Sequence, residues 1–381
     1  MTSVRNLVLS RQFALHWLYL CLAALAAAAL LAFDGYGRYQ EKDLYERERL
    51  LAQARTVAIN LEQQIALTKA SLDSIVNDLP SWRKGDGYSD GLLRRIKALD
   101  NSLPGIRTIL VTDSRGIVRA GNRDPLLNVD FSHREWFKGP RESADPGTMH
   151  LSLPYTSVTN VWIMTLSRAI PGPDGEFAGA VVMALKERYF ETLLHSVNYA
   201  ADGWVAVLHG DGAFFTGVPS RARFVEKNAT VPGSVFARHM ASGKRENVLT
   251  GKSIAAAGES PAVGERMVGI VTIGGRPLGM NRPLVVCVTR STKAIFADWR
   301  MDMAKKAIAF MLLLAVAAIV LKSYHVRERR VAAGAEEAAE KIRLWADAFE
   351  QCAYGIALCI PATGRVLTCN PVFAGLLGRA V

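Results

Sequence analysis

The sequence predicts an α+β fold in which two antiparallel-sheet modules are built along one long N-terminal helix. Three observations carry the prediction. An apolar run near each end of the chain is suited to a bilayer, a strand–turn–strand pattern followed by a helix occurs twice between them, and a helical apolar stripe precedes both copies.

The 381 residues carry a formal charge of +11 and a hydrophobic content of 50%. That length is enough for two or three domains. The apolar excess is localised. "FALHWLYLCLAALAAAALLAF" (13–33) has no formal charge and is long enough to cross a bilayer as a helix. "AIAFMLLLAVAAIVL" (307–321) is shorter, but Lys305, Lys306 and Lys322 flank it, which places a second span at 304–322. Lysine stems can lie along apolar surface while their ammonium groups reach the headgroups. A buried core helix competes for the second run, and all-round apolarity between basic residues weighs against it. A cleaved signal peptide competes for the first, with Arg5 and Arg11 as its basic start. Its apolar core exceeds the usual length of about 7–15 residues, which favours an uncleaved helix. Lys322, Arg327, Arg329 and Arg330 follow the second run, so the positive-inside rule places residues 1–12 and the C-terminal part in the cytoplasm and 34–303 outside.

Of the five cysteines, only Cys287 falls in 34–303. One cysteine cannot make an internal disulfide, so that segment must be held by its own core. Cys352, Cys359 and Cys369 lack zinc-ligand spacing and read as small buried residues.

After the first apolar run, Leu51, Ala54, Ala58, Leu61, Ile65, Thr68, Leu72, Ile75 and Leu79 alternate at three and four residues and stop at Pro80. This heptad stripe is either a dimer seam or the face that packs on its own domain. "TILVTDSRGIVRAG" (108–121) reads as a hairpin about Asp-Ser-Arg-Gly. A longer hairpin about Pro-Asp-Gly and an amphipathic helix follow in 161–197. The theme repeats in "GWVAVLHGDGAFFTG" (203–217) and in 265–299, which gives two more strands and a helix. An approximate duplication is the economical explanation, with a distal module at about 80–197 and a proximal one at about 198–299. Beyond the second run, Val331, Ala335, Ala338, Ile342, Trp345 and Phe349 form another heptad stripe, so 323–348 reads as a coiled-coil linker or a monomeric amphipathic one.

The segment "VDFSHREWFKGPRE…LSLPYTS…WIMTLSRAIPGPDGEFAGAVVMALKERYFETLL" (129–194) resembles the bacterial double Cache (dCache) membrane sensors found on diguanylate cyclases, cyclic-di-GMP phosphodiesterases and histidine kinases. The resemblance covers about 34–303. It implies two PAS-like modules outside the cytoplasm, a bacterial inner (plasma) membrane location, a small-molecule ligand and a homodimer. The tail, "GIAL…TGRVLTCNPVFAGLLG", resembles the first third of a cytoplasmic PAS domain, so 349–381 is expected to be truncated before its sheet can close.

By the same resemblance the ligand lies in the distal module against an Arg-x-Trp/Tyr motif, here Arg134, Trp136 and Phe137. Tyr155, Trp162 and Arg168 are expected to complete the cavity from the facing strands. A guanidinium can grip a carboxylate through two parallel hydrogen bonds while aromatic rings wall the remainder. A structural ion pair with Asp130 or Glu135 is the alternative role for Arg134. Amino-acid receptors of the family also use a Tyr and an Asp where this sequence has Val129 and Ala184. Without a carboxylate at 184 an α-ammonium group lacks its partner, which favours an organic acid or another anion.

Enzyme signatures are absent. "TGKS" (250–253) has Glu246 where a phosphate loop needs its first Gly. The seven histidines have no zinc spacing, and there is no GGDEF, EAL, kinase phosphoacceptor or G-x-S-x-G motif. No cofactor and no metal is expected. Much of the positive charge flanks the apolar runs or lies in 34–303, so nucleic acid is not implied. The sequence thus predicts a signal-transduction input region without catalysis of its own. A membrane-tethered periplasmic hydrolase or a non-sensing scaffold module is the alternative.

Overall fold

The computed structural model describes residues 2–84, 87–219, 229–251, 264–275 and 278–378. The chain forms two compact units, Tyr36–Met301 and a second made of Met1–Gly35 with Asp302–Val381.

Helix α1 (Thr2–Trp82) contains both the first apolar run and the heptad stripe. It ends two residues beyond Pro80, where the sequence had placed its stop. In the Tyr36–Met301 unit every stripe position from Ala54 to Leu79 is buried, along with Leu50 and Val57. The stripe is therefore the face that packs on its own domain, and its side chains have no area left for a dimer seam.

A short ladder pairs β1 (Arg83–Lys84) with β2 (Gly87–Tyr88). Then α2 (Asp90–Ser102) buries Leu92, Ile96 and Leu99 along one face. The distal strands are β3 (Ile106–Thr112), β4 (Val118–Gly121), β5 (His150–Leu151), β6 (Tyr155–Thr156), β7 (Trp162–Pro171) and β8 (Phe177–Lys186). Helix α3 (Glu135–Glu142) lies between β4 and β5 in sequence, and α4 (Glu187–Val197) follows β8. The proximal module contains β9 (Trp204–His209), β10 (Phe214–Val218), α5 (Val235–Ser242), β11 (Glu246–Gly251), β12 (Arg266–Gly274) and β13 (Pro283–Ser291).

The distal sheet runs β4-β3-β8-β7-β5, with β6 also on β7, and the proximal sheet runs β10-β9-β13-β12-β11. Counted within its module, each order reads second, first, last, last but one, third. The two halves share a topology, which is the form the inferred duplication takes.

Alternation along the strands divides the core into layers. In β8, Val181, Met183 and Leu185 join the cluster that holds the α1 stripe, while Ala180 and Val182 face Trp136 and Phe137 of α3. In β9, Val205 and Val207 belong to the α1 side, while Ala206 and Leu208 meet Val235 and Phe236 of α5. One position has no room for a side chain: a Cβ at Gly269 of β12 would sit 2.7 Å from the backbone of Leu50, so this glycine lets α1 lie directly on the proximal sheet.

After β13 come α6 (Thr292–Ile295) and α7 (Ala297–Gln351). The most apolar windows of α1 and α7 are 0% buried. That removes the core-helix reading of the second run. Within the second unit, Phe13 packs on the ring of His325 at 4.1 Å and Lys306 pairs with Asp34 at 3.0 Å. Helix α7 continues without a break through the predicted linker, with Val331, Ile342 and Trp345 exposed. The tail forms a hairpin of β14 (Ala357–Cys359) and β15 (Val366–Cys369), then α8 (Pro371–Leu376). Asn370 caps α8 by accepting from the Phe373 N–H at 3.0 Å, and it also accepts from the Ile356 N–H at 2.9 Å.

Candidate ligand-binding site

A cavity of about 240 Å³ lies on the α3 face of the distal sheet. Its floor is made of alternate residues of three strands: Thr108 and Leu110 of β3, Val182 and Ala184 of β8, Ile163 and Thr165 of β7. Thr108, Ala184 and Thr165 form one row, since Ala184 pairs with both threonines. Phe131 and Trp136 close one side and Tyr155 another, joined by the turn Ser157–Thr159.

The side that carries Arg134 is assembled from a tight turn outward. Asp113 Oδ1 accepts from the N–H groups of Arg115 and Ile117, each at 3.0 Å, which sets the β3–β4 turn. Gly116 closes it at φ +87°, and a Cβ there would meet Ser132 Cα at 2.7 Å. The Gly116 carbonyl can therefore reach the Phe131 N–H, at 2.9 Å, and tie the next loop to the hairpin. The Phe131 carbonyl accepts from Arg134, whose own carbonyl accepts from Phe137 and Lys138 and starts α3. Arg134 thus sits at the N-cap of α3, on the cavity rim, with its guanidinium carbon 5.1 Å from the centre of the Tyr155 ring. Burial pushes the Tyr155 hydroxyl up to about 12 against the pull of Arg134, so it remains a neutral phenol.

Neither acidic neighbour neutralises Arg134. Asp130 accepts from the Ser132 N–H at 2.7 Å, a bond that holds its carboxyl below the usual range, and Glu135 accepts from the Leu153 N–H at 3.3 Å. Two further arginines, Arg107 and Arg123, line the same cavity. None of the three has a carboxylate partner among the described residues, and no Asp or Glu among them lines the cavity.

The cavity therefore gathers Arg134, Trp136 and Tyr155 of the six residues named from sequence. It does not gather the others. Phe137 is fully buried beneath the rim, edge-on to Phe177 at 5.3 Å. Trp162 turns its indole away and donates to the Phe215 carbonyl at 2.9 Å. Arg168 is taken by Asp73 of α1 and by the Pro146 carbonyl at 3.3 Å. Ala184 lies in the floor, while Val129 packs with the α3 cluster. Arg107 and Arg123 went unseen because simple alternation points Arg107 to the other face and Arg123 follows a hairpin with no motif of its own. Of the TGKS run, Thr250 and Gly251 end β11, and Lys252 and Ser253 lie outside the described residues.

No family model matches the chain, and no curated protein matches it. Solved structures do. The extracellular domain of rpHK1S-Z16, a protein assigned as a histidine kinase, aligns with a TM-score of 0.50 and 24% identity over 65% of this chain and 99% of that one. The periplasmic sensory domain of the Campylobacter jejuni chemoreceptor Tlp1 aligns with a TM-score of 0.54 and 14% identity over 67% and 98%. The Tyr36–Met301 unit shares its fold with these two domains. A third similar structure is the ligand-binding domain of the Pseudomonas fluorescens chemoreceptor CtaA in complex with L-isoleucine. It has 16% identity over 69% of this chain and 97% of that one, and its TM-score of 0.48 is too low to carry a ligand across.

Proposed function

We propose that this chain is the sensory input region of a bacterial inner-membrane receptor and that it binds a small anionic organic acid outside the cytoplasm. One observation carries the reading: Arg107, Arg123 and Arg134 share one cavity of the distal module with no carboxylate among its described lining residues. Guanidinium groups left without counter-charge beside an apolar floor suit a carboxylate with a hydrocarbon body. The same absence disfavours an α-amino acid, whose ammonium group would find hydroxyls but no carboxylate beside three cations. Among the described residues of the proximal module, Phe214, Val235 and Phe236 fill the corresponding face.

In this reading the apolar runs of α1 and α7 cross the membrane, and the basic residues after the second keep both ends cytoplasmic. The exposed stripe through Val331, Ile342 and Trp345 serves a homodimer. Ligand binding shifts the population of two arrangements of the sensory unit, and α7 passes the difference to an output. The chain itself performs no catalysis.

The test is a thermal-shift screen of the purified full chain against carboxylic acids, amino acids and amines. A ligand at a hundred times its dissociation constant stabilises by about 2.7 kcal/mol. Carboxylates are the expected hits, and Arg134→Gln should abolish the shift while the unliganded protein melts unchanged. Stabilisation by amines alone, or undiminished binding by Arg134→Gln, overturns the reading.

A further inference from the structure

Arg107 reaches the cavity through an irregularity in the sheet. Ile106 pairs with Leu185, yet Thr108 already pairs with Ala184. Arg107 is the extra residue of a β-bulge, so it and Thr108 together stand opposite Ala184. Regular pairing continued from Thr108 would set Arg107 opposite Leu185, on the face covered by α1. The bulge instead turns a guanidinium toward the floor residue Ala184. It also leaves the Arg107 carbonyl outside the ladder, where it accepts from Arg123 Nη2 at 3.0 Å and from Asn122 Nδ2 at 3.3 Å. Arg123 is thereby tethered beside Arg107. These two cations come from the β3–β4 edge, while Arg134 comes from the start of α3.

We infer that Arg107 and Arg123 form a second anion subsite, so that the ligand is a small acid with at least two anionic groups on a short apolar body. The inference rests on the anion-sensing reading above and adds its charge number. Three guanidinium groups on one cavity repel one another. A monocarboxylate engages Arg134 and leaves the bulge pair unanswered, whereas a dicarboxylate answers both. The cavity is below the roughly 300–1,000 Å³ of drug-sized sites, which limits the body to a few carbons.

The experiment is calorimetric titration of the full chain in detergent with succinate and glutarate, the length-matched monoacids butyrate and valerate, and inorganic phosphate. The diacids should bind at least about 30-fold more tightly than the monoacids, the scale of one charge-assisted contact. Arg107→Gln should remove most of that preference, and Arg107→Lys, which keeps the charge without the fork, should fall between. The diacid-to-monoacid ratio of the unaltered protein decides the matter even where a variant misfolds. Equal binding of diacids and monoacids overturns the second subsite and leaves the anion-sensing reading standing. Binding of phosphate alone overturns the organic body. Binding of no anion overturns both readings together.

Discussion

Glu46 of α1 is held by Arg290 of β13 at 3.2 Å, with its carboxylate only 1% exposed. Tyr199 donates to the same carboxylate at 2.8 Å, and Asp202 takes the far side of Arg290 at 2.9 Å. Burial, helped by the bond to Glu46, pushes the Tyr199 hydroxyl up to about 12. The long helix is thus fastened to the proximal sheet by charge at this point. Arg290→Met leaves a buried carboxylate without its cation and should cost about 3–5 kcal/mol in denaturant unfolding. Glu46→Leu combined with Arg290→Met should recover much of that loss, because the deeply buried carboxylate is gone and only the partly exposed Asp202, still bonded to the Ser291 N–H, loses Arg290. A double variant as unstable as Arg290→Met would show that the cluster acts through packing instead.

Arg168 belongs to the framework. Its pair with Asp73 ties β7 to α1, and both side chains are about a quarter exposed or less. Arg168→Gln should lower unfolding stability by about 1–2 kcal/mol. Its dissociation constant for any acid that binds the wild type should stay within about twofold, because the side chain lies outside the cavity. A large loss of affinity at unchanged stability would return Arg168 to the site.

Gly269 tests the contact between helix and sheet. A side chain there collides with the Leu50 backbone, and backbone cannot rotate aside. Gly269→Val should destabilise by at least about 1–3 kcal/mol, the range for overpacking, despite the β-propensity it adds. Gly264, which has open space around it, is the control, and Gly264→Ala should be near neutral. A stable Gly269→Val protein would mean that α1 does not lie against β12.

Three histidines give the Tyr36–Met301 unit an acid-labile stability. Burial lowers the affinity of His150, His209 and His239 for a proton, for His209 against the pull of Asp211. A histidine with a depressed folded pKa binds fewer protons in the native than in the unfolded state between the two values. Its contribution is complete above the unfolded value of about 6.5 and is lost as pH falls toward the folded one. Unfolding free energy should therefore drop by about 1–3 kcal/mol from pH 7 to pH 5. Stability flat across that interval would require these rings to be charged in the native state.

The main elements were legible in sequence because their periods are long and consistent. The alternation of three and four from Ala54 to Leu79 marks one buried face, and the hairpin turns at Asp113 and Asp174 carry their own chemistry. The sequence alone could not say what covered that face, since a heptad stripe looks the same against a sister helix or a sheet. Strands β5 and β6 have two residues each, too few to establish a period, and β11 (ENVLTG) begins and ends on weak strand formers. At the cavity, Arg134 and Trp136 were reached through a motif and Tyr155 through the strands expected to face it. Trp162 and Arg168 fall outside the cavity because they share parity with Met164 and Leu166 on the α1 face of β7, opposite the floor residues Ile163 and Thr165. Arg107 depends on one extra residue in a ladder, which leaves no periodic trace.

The indole of Trp162 spans the two modules, and Tyr155 pairs with Ile163 one residue further along β7. A second splice lies nearby, where the Met149 N–H meets the Gly279 carbonyl at 2.8 Å and the Asn281 N–H meets the Met149 carbonyl at 3.1 Å. The cavity wall and the splice are therefore neighbouring rungs of one ladder. A ligand that draws Tyr155 inward has to carry β7 with it, and β7 pulls on the backbone of Phe215. Any movement at the wall would reach the proximal sheet through these directional bonds. In the proposed receptor, the strand that carries a wall of the cavity would also be the drive shaft.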